Sequence, residues 1–306
     1  MEIVLARPRG FCAGVKRAIS IVSRALELHG APVYVLHEIV HNTHVINELT
    51  ANGAVFVEQL EDVPAGSVTI FSAHGVSRAV VERAAMLGLR TIDATCPLVA
   101  QVHRRVIALN QKNYDVLVIG HKGHPEVEGT CGHADGAVQV LSSPEEVETL
   151  TVTDPAKVGC VTQTTLSLDD TAEILAAIRR RFPAIAEPER TDICFATTNR
   201  QKAVRRLAGM VGLVLVVGSK SSSNSNRLRE VAKSQGIPAY LIDDAHEIDS
   251  AWLNGVRRIG LTAGASAPEH LVTETISWLR QHGAVSVTEM AGDEEKVSFQ
   301  LPDMMS

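Results

Sequence analysis

Apolar residues recur at helical spacing after three cysteines of this chain, Cys12, Cys96 and Cys194. The apolar positions are Val15, Ala18, Ile19, Val22 and Leu26 after the first cysteine, Val99, Val102, Val106 and Leu109 after the second, and Ala203, Val204, Leu207 and Val211 after the third. This spacing is typical of a helix with one buried face. The pattern therefore predicts a helix after each of the three cysteines.

A short apolar strand is predicted after each of these helices. The strands are VYVL ending at Leu36, VLVI ending at Ile119 and VLVV ending at Val217, each 23 or 24 residues beyond its cysteine. A second strand with a polar loop follows in VTIFSAHG, VGCVTQTT and IGLTAGAS, in which His74, Thr164 and Ser266 are the predicted matching positions. Helices are predicted near residues 78–87, 169–181 and 268–281. The alternation of strands and helices predicts parallel sheets.

The repeat divides the chain into three α/β units. The first two units end in a strand that leads to the next cysteine, in RTIDATC and RTDIC, and the N-terminal EIVLARPRGFC supplies the lead-in to Cys12. We predict an α/β fold of three similar domains with parallel sheets in a pseudo-threefold arrangement. The predicted segments are 1–13 for the N-terminal strand and first cysteine, 14–96, 97–193 and 194–285 for the domains, and 286–306 for a C-terminal tail.

Composition narrows the classes of function. The 306 residues carry a net charge of −6 without a basic block, so we expect neither nucleic acid nor an anionic membrane as a partner. No apolar run reaches the roughly 18 residues of a membrane span. The chain begins with MEIVLA, which matches no signal or transit peptide, so we expect a cytoplasmic protein. In that compartment cysteines serve more often as thiols or metal ligands than in disulfides.

Three cysteines in equivalent positions favour a metal centre. Each precedes a predicted helix, whose N-terminal dipole stabilises a thiolate. Zinc sites often use closely spaced cysteine pairs, which this chain lacks. A cubane iron–sulfur cluster usually takes four cysteines, so three would leave one iron open to a substrate oxygen. Three cysteines without a metal remain the alternative. Cys131 and Cys160 fall outside the repeat. We expect that Cys131 is not a metal ligand and that Cys160 is an inert core thiol.

Polar loops after the strands offer donors for an anion. The loops HEIVHNTH, GHKGHPE and GSKSSSNSN place His41, His124 and Ser222 at 28 or 29 residues beyond their cysteines. Hydroxyls, amides and a helix start near Ser225 suit phosphate oxygens. We predict a phosphate or diphosphate pocket, with simple helix capping as the alternative. Its predicted residues are His41, His74, His124, Ser222, Ser223, Asn224 and Ser266.

Residues 117–133 hold five possible metal ligands, namely His121, His124, Glu126, Cys131 and His133. A zinc hydrolase that uses this loop is one rival, but the corresponding loop of the third unit, GSKSSSNSN, offers hydroxyls and amides, which are poor ligands for a soft metal. We instead predict that Glu126 is a general acid and that Thr164 relays the proton. The alternative is a first-turn glutamate that interacts with the helix dipole.

Nine stretches resemble the 4-hydroxy-3-methylbut-2-enyl diphosphate reductase (LytB) family, in order over about residues 1–285. They are GFCAGV, HEIVHN, SAHGVS, DATCPLV, GHKGHPEVEGT, VTQTTLS, TDICFATTNRQ, GSKSSSNSNRL and TAGASAP. The resemblance implies three α/β domains around a central [4Fe–4S] cluster. The implied cluster ligands are Cys12, Cys96 and Cys194. The implied catalytic residues are Glu126, Thr164 and His124, and the implied substrate ligands are His41, His74, His124, Thr164, Ser222, Ser223, Asn224 and Ser266.

The reaction implied by the resemblance is a reductive dehydroxylation in the last step of the non-mevalonate isoprenoid pathway. The substrate's C4 hydroxyl binds the open iron and leaves as water, with two electrons from a ferredoxin or flavodoxin and two protons. The products are isopentenyl and dimethylallyl diphosphate. Besides the zinc hydrolase, two rivals stay open on the residues alone. A non-redox [4Fe–4S] dehydratase would need no reductant, and an iron–sulfur sensor or binding module would not need Glu126.

Overall fold

The structure, a computed structural model, describes residues 1–188, 191–292 and 294–303. The helices are α1 (Ala13–His29), α2 (Thr43–Ala51), α3 (Arg78–Met86), α4 (Pro97–Gln111), α5 (Pro125–Cys131), α6 (Leu168–Arg181), α7 (Phe195–Ala208), α8 (Ser223–Ser234) and α9 (Glu269–Gln281). The strands are β1 (Glu2–Leu5), β2 (Val33–Leu36), β3 (Ala54–Val57), β4 (Val68–Phe71), β5 (Arg90–Asp93), β6 (Asp115–Ile119), β7 (Val138–Leu141), β8 (Val158–Thr162), β9 (Leu213–Val217), β10 (Ala239–Ile242), β11 (Arg258–Ala263) and β12 (Ser286–Glu289).

The chain divides into two compact units. Unit 1 comprises the described residues of Met1–Val15, His41–Ile46 and Phe195–Ser298. Unit 2 comprises those of Lys16–Val40, Asn47–Cys194 and Phe299–Ser306. Among the described residues, no helix is long and apolar enough to cross a membrane. The boundaries of three separate domains stay a prediction.

The helices predicted after the three cysteines are all present. α1, α4 and α7 begin at the residue that follows Cys12, Cys96 and Cys194, respectively. Pro97 occupies the first position of α4, where its missing N–H leaves no helical hydrogen bond unmade. The predicted apolar positions of α4 are buried, namely Val99, Val102, Val106 and Leu109. In α4 the apolar period was therefore a reliable guide to the buried face, whereas Val211, which was predicted on the third helix, lies beyond the end of α7 at Ala208.

Three parallel sheets are built on one strand order. The orders are β3-β2-β4-β5, β7-β6-β8 and β10-β9-β11-β1-β12. The first predicted strand of each segment is β2, β6 or β9. It lies between an outer strand and the second predicted strand, which is β4, β8 or β11. Every strand pair is parallel. The predicted α/β class with parallel sheets is confirmed.

The lead-in to a cysteine is a strand in two cases out of three. β1 leads to Cys12 and lies beside β11, and β5 leads to Cys96 and lies beside β4. The strand predicted in RTDIC is wrong for residues 191–194, which form no strand, while Arg190 lies outside the described residues. The Asp192 carboxylate instead accepts a hydrogen bond from the backbone N–H of Thr162 at 3.1 Å. A side chain therefore replaces the missing strand pairing at the end of β8.

The sheet of unit 1 is buried on both faces. Ile3, Leu215 and Leu261 face one apolar cluster, whereas Val4 and Val216 face the other. Neighbouring side chains of a strand point to opposite faces, so nearly every residue of these strands is apolar. Polar side chains are consequently displaced to the loops beyond the strands, and the carboxyl ends of parallel strands are where binding sites form.

Candidate functional site

The three repeat cysteines are held by equivalent backbone hydrogen bonds. Each cysteine N–H donates to the carbonyl of the second residue beyond a strand, beyond β11, β4 and β8 in turn. The pairs are Cys12 with Ala265 at 3.1 Å, Cys96 with Ala73 at 3.0 Å and Cys194 with Thr164 at 3.1 Å. The repeat seen in the sequence thus extends to the backbone contacts of all three cysteines.

The chemistry of these thiols fits an iron–sulfur cluster. All three are partly exposed, form no disulfide and stand directly before a helix N-terminus, where a thiolate is stabilised. Among the described residues, no three His, Cys, Asp or Glu side chains surround a single metal ion. A cubane cluster takes each thiolate on a different iron, so its ligands need not surround one ion. The convergence of the three sulfurs stays a prediction.

The two remaining cysteines have different surroundings. Cys160 is completely buried in β8, and burial raises the pKa of its thiol to about 12. Burial, followed by the nearby charge of Glu128, raises the pKa of Cys131 at the end of α5. Both thiols are therefore disfavoured as thiolates. The prediction of a core thiol at Cys160 is confirmed.

Glu126 is a buried carboxylate that Thr164 holds with two hydrogen bonds. The Glu126 side chain lies in the first turn of α5, and the residue is only 3% exposed. The N–H of Thr164 donates to Oε1 at 2.6 Å, and its hydroxyl donates to Oε2 at 3.1 Å. The Thr164 carbonyl accepts from the N–H of Cys194. One residue therefore connects the predicted acid to a predicted cluster ligand, while the catalytic roles stay predictions.

His124 caps α5 and is oriented by that contact. Its Nδ1 accepts a hydrogen bond from the N–H of Glu126 at 3.1 Å. A ring nitrogen that accepts carries no proton, so a neutral His124 presents its proton on Nε2. The ring of His74 stands edge-on to it, with 5.7 Å between the centroids. Unit 2 thus brings together His74, His124, Glu126 and Thr164.

A second group of predicted residues meets in unit 1. The Ser266 hydroxyl donates to the backbone carbonyl of His41 at 2.9 Å and lies 3.5 Å from the hydroxyl of Ser222. Ser222 is the N-cap of α8, and its hydroxyl accepts from the N–H of Ser225 at 3.3 Å. For Ser222, as for His124, the alternative role as a helix cap is confirmed. The predicted role in anion binding stays a prediction.

The N-terminus of α8 suits an anion. The helix begins at Ser223, two residues before the predicted start. Asn224 is 4% exposed, and its Oδ1 accepts from the N–H of Ala265 at 2.8 Å. Within the described part of the chain, its Nδ2 has no hydrogen-bond partner. A buried amide donor beside a helix N-terminus matches the needs of a phosphate oxygen.

Sequence reasoning missed the residues that shape these loops. Ser225 is completely buried, and its side chain fills the space that a Cβ on Gly218 or Gly264 would need. The signal was available, since a glycine directly follows both β9 and β11, and glycine permits close approach. Gln163 was also missed; its side chain accepts from the N–H of His121 at 3.1 Å and donates to the Thr165 hydroxyl at 3.1 Å.

One predicted correspondence is wrong by a residue. Because the carbonyls of Ala73, Thr164 and Ala265 play the same part, the next residue along is the true counterpart of His74 and Ser266. That residue is Thr165, not Thr164. The cysteine contacts reveal this offset, which the sequence pattern alone did not show.

The imidazole rings of His103 and His133 stack on each other beside Gly75, the residue after His74. The rings of His103 and His133 are 4.1 Å apart, and Gly75 packs so closely that a Cβ there would lie 2.6 Å from the His103 ring. Burial, followed by the charges of His133 and Arg104, lowers the pKa of His103 to about 3. Burial also lowers the pKa of His133. The pair is therefore neutral near pH 7, and His133 Nε2 forms a hydrogen bond with the Val76 carbonyl at 3.1 Å.

The fold is that of an α/β protein whose predicted site residues lie on loops beyond the carboxyl ends of parallel strands, where binding sites form in this class. The chain belongs to the LytB family, because the family model described as "LytB protein" matches residues 3–280. The family resemblance noted from the motifs is confirmed.

Relatives with known names are similar over nearly the whole chain. The 4-hydroxy-3-methylbut-2-enyl diphosphate reductase of Bordetella pertussis is 58% identical, over 100% of this chain and 94% of the relative. The protein of that name from Azotobacter vinelandii is 55% identical, over 99% and 97%. The solved E-1-hydroxy-2-methyl-but-2-enyl-4-diphosphate reductase from Plasmodium falciparum has a TM-score of 0.94 at 39% identity, over 98% and 95%. At this similarity the chain is an oxidoreductase.

Proposed function

We propose that the protein reduces (E)-4-hydroxy-3-methylbut-2-enyl diphosphate to isopentenyl and dimethylallyl diphosphate, in the last step of the non-mevalonate isoprenoid pathway. The names of the relatives suggest the substrate. The observation that carries the proposal is the series of contacts from Glu126 through Thr164 to Cys194. It connects a buried acid to a thiol suited to iron, as a reaction that couples proton delivery to electron delivery requires.

The three repeat cysteines are the proposed ligands of a [4Fe–4S] cluster. Such a cluster supplies electrons and an iron with an open coordination position for the substrate hydroxyl. Partly exposed thiols at the starts of α1, α4 and α7 support the assignment of Cys12, Cys96 and Cys194. A ferredoxin or flavodoxin is the proposed electron donor, and the cytoplasm is the proposed compartment.

The diphosphate is the proposed ligand of the donors on the polar loops. Asn224 Nδ2 is a buried donor available to an acceptor, and α8 adds its N-terminal dipole. His124 presents its Nε2 proton because its Nδ1 is occupied. The other proposed contacts come from His41, His74, Thr164, Ser222, Ser223 and Ser266.

Glu126 is the proposed source of protons. One proton converts the departing hydroxyl to water as the C–O bond breaks. A second proton forms a C–H bond at either of two carbons of the allylic group, and two electrons balance the reaction. The two hydrogen bonds from Thr164 fix the carboxyl group, so a proton would be delivered from a defined position.

The test is anaerobic purification followed by iron, sulfide and visible spectroscopy, with turnover measured with and without reduced methyl viologen. We expect about four irons per chain, a spectral shift on addition of the substrate, and products only with the reductant. Products without reductant would instead favour the dehydratase. A spectral shift without turnover in either condition would favour a binding module. A colourless protein with one zinc would overturn the proposal.

A further inference from the structure

The C-terminal tail follows the N-terminal segment toward Cys12. β12 pairs with β1, and the N–H of Met290 continues this pairing by donating to the carbonyl of Leu5 at 3.0 Å. Gly292 then packs on the backbone of Arg7 so closely that a side chain there would overlap the Arg7 carbonyl. The tail therefore stays against the segment that leads to the first cysteine.

Arg200 of α7 holds the same segment closer to Cys12. The residue is 1% exposed. Its Nε and Nη2 donate to the carbonyl of Gly10 at 3.2 and 2.7 Å, and its Nη1 donates to the carbonyl of Ala196 at 3.0 Å. Gly10 stands two residues before Cys12 and has a φ of +67°, a conformation that side chains rarely adopt. The buried guanidinium of Arg200 thus holds the turn at Gly10, just before Cys12.

Glu295 of the tail neutralises this buried arginine. Its two carboxylate oxygens lie 3.0 and 2.9 Å from Arg200 Nη1, and Oε1 also accepts from Asn199 Nδ2 at 3.2 Å. The Glu295 side chain is 13% exposed. A buried arginine without its counter-charge is strongly disfavoured, so the guanidinium depends on the tail to remain in place.

We infer that Arg200 and Glu295 are positioning residues, which hold the Cys12 loop in the conformation that binds the cluster. The inference rests on the proposed function. On the other side, the loop is held by Gly10 N–H donating to Ala263 and Cys12 N–H donating to Ala265, both at 3.1 Å. Without Glu295, the guanidinium would turn toward water and release the Gly10 carbonyl. The Cys12 loop would then keep its hydrogen bonds to Ala263 and Ala265 but lose the contact with Arg200, and the bond from Cys12 to iron would open more often.

Glu295→Gln tests this inference, with Glu294→Gln as the matched control. The two glutamates are adjacent and lose the same charge, but Glu294 is exposed. Both variants are reconstituted with iron and sulfide under argon. The measurements are iron per chain, the low-temperature EPR spectrum of the reduced protein, and the rate at which a chelator bleaches the visible absorbance. The unfolding midpoint of the cluster-free protein is measured in parallel.

We expect the Glu295→Gln protein to lose its cluster at least about fivefold faster than the wild type, because a charge-assisted hydrogen bond is replaced by a weaker one. Its EPR spectrum should also shift, which a general loss of stability would not produce. Glu294→Gln should match the wild type in both measurements. Arg200→Lys should lose its cluster like Glu295→Gln, because a single ammonium cannot span Gly10 and Glu295.

Equal bleaching rates and EPR spectra for wild type and Glu295→Gln would overturn the inference, whatever the unfolding midpoint. Equal acceleration in Glu294→Gln would do the same. If Glu295→Gln fails to fold, Glu295→Asp replaces it, since the shorter carboxylate keeps the charge and loses the reach. Its bleaching rate is expected between those of wild type and Arg200→Lys, and a wild-type rate would overturn the inference. A wild-type protein that takes up no iron would instead refute the proposed function.

Discussion

Glu126 and His103 are both buried ionisable residues, but their surroundings differ. Thr164 supplies two donors to the Glu126 carboxylate. His103 lies against Gly75 and the His133 ring, and no partner for its Nε2 occurs in the described part of the chain. The first environment positions a group for chemistry, whereas the second excludes charge. Each therefore leads to a different experiment.

Replacement of Glu126 by glutamine should stop proton delivery and leave the cluster in place. The amide is similar in size and retains an oxygen for the N–H of Thr164, but it has no acidic proton. We expect turnover to fall by about 10²–10⁴-fold, with iron content unchanged. Glu128→Gln is the control, because Glu128 is exposed on the same short helix. Near-normal turnover in Glu126→Gln would exclude the acid role.

Acidification should destabilise the fold through His103. Its pKa is about 3 in the folded protein, against an ordinary value of 6.5. Below pH 6.5 the unfolded chain takes up a proton that the folded protein refuses, so stability falls as the pH drops toward 3. By about pH 5 the loss from this group is about 2 kcal/mol.

His103→Gln should remove most of that dependence. The measurement is urea unfolding of the cluster-free protein at about pH 7.5 and about pH 5. Glutamine packs less well than the stacked ring, so the variant starts less stable, but its stability should change less between the two pH values. His29→Gln, at an exposed residue, is the control and should behave like the wild type. An unchanged pH dependence in His103→Gln would contradict the argument.

At the scale of elements, sequence pattern predicted the central strands and missed the outer strands β3, β7 and β10. β2, β6 and β9 are continuous apolar runs because both of their faces are covered. β3 and β7 are short and only partly buried, and each pairs with a single neighbour. Their strand conformation comes from pairing with an inner strand, which the local sequence does not encode.

The sequence predicted which loops carry the candidate site residues, but not the contacts that these residues form. Residue types located Glu126, Thr164 and the capping side chains on the correct loops. The correspondence of Thr165 to His74 within the repeat was missed because a shift of one residue turns a side chain in another direction. The role of Asp192 in closing β8 was missed because it depends on a contact with Thr162, 30 residues away.

Gly264→Ala should move the start of α8 away from the strands. Its Cβ would overlap the hydroxyl of Ser225, which is fully buried and lies at the same point against Gly218. We expect a loss of about 1–3 kcal/mol of stability from this overpacking. We also expect weaker pyrophosphate binding by calorimetry, since the helix N-terminus is part of the proposed anion site.

The control for that substitution is Gly209→Ala. A Cβ there would have its nearest neighbour at 3.6 Å, which is an ordinary contact. Adding Ser225→Gly to Gly264→Ala should restore part of the pyrophosphate affinity, because it removes the overlapping hydroxyl. Unchanged affinity in Gly264→Ala would mean that the position of α8 does not matter to anion binding.

At the scale of the whole chain, the apolar cores do not depend on the three repeat cysteines. Within the described residues, one apolar cluster of unit 2 includes Cys160 and another packs against Cys131, but the apolar clusters described for the two units contain none of the three repeat cysteines. Each sheet is closed by Val, Leu and Ile side chains on its faces. A cluster would therefore bind a chain that already has its secondary structure and its cores.

Removal of the proposed cluster should consequently leave the fold intact and lower its stability. A ligand that binds only the native state adds about 3–4 kcal/mol when it is present at about 100–1,000 times its dissociation constant. We expect the cluster-free protein to keep its far-UV circular dichroism and to unfold several degrees below the loaded protein. Cys12→Ala, treated with iron and sulfide in the same way, should unfold near the temperature of the cluster-free wild type. Loss of the helical signal on removal of the cluster would show that metal binding and folding are coupled.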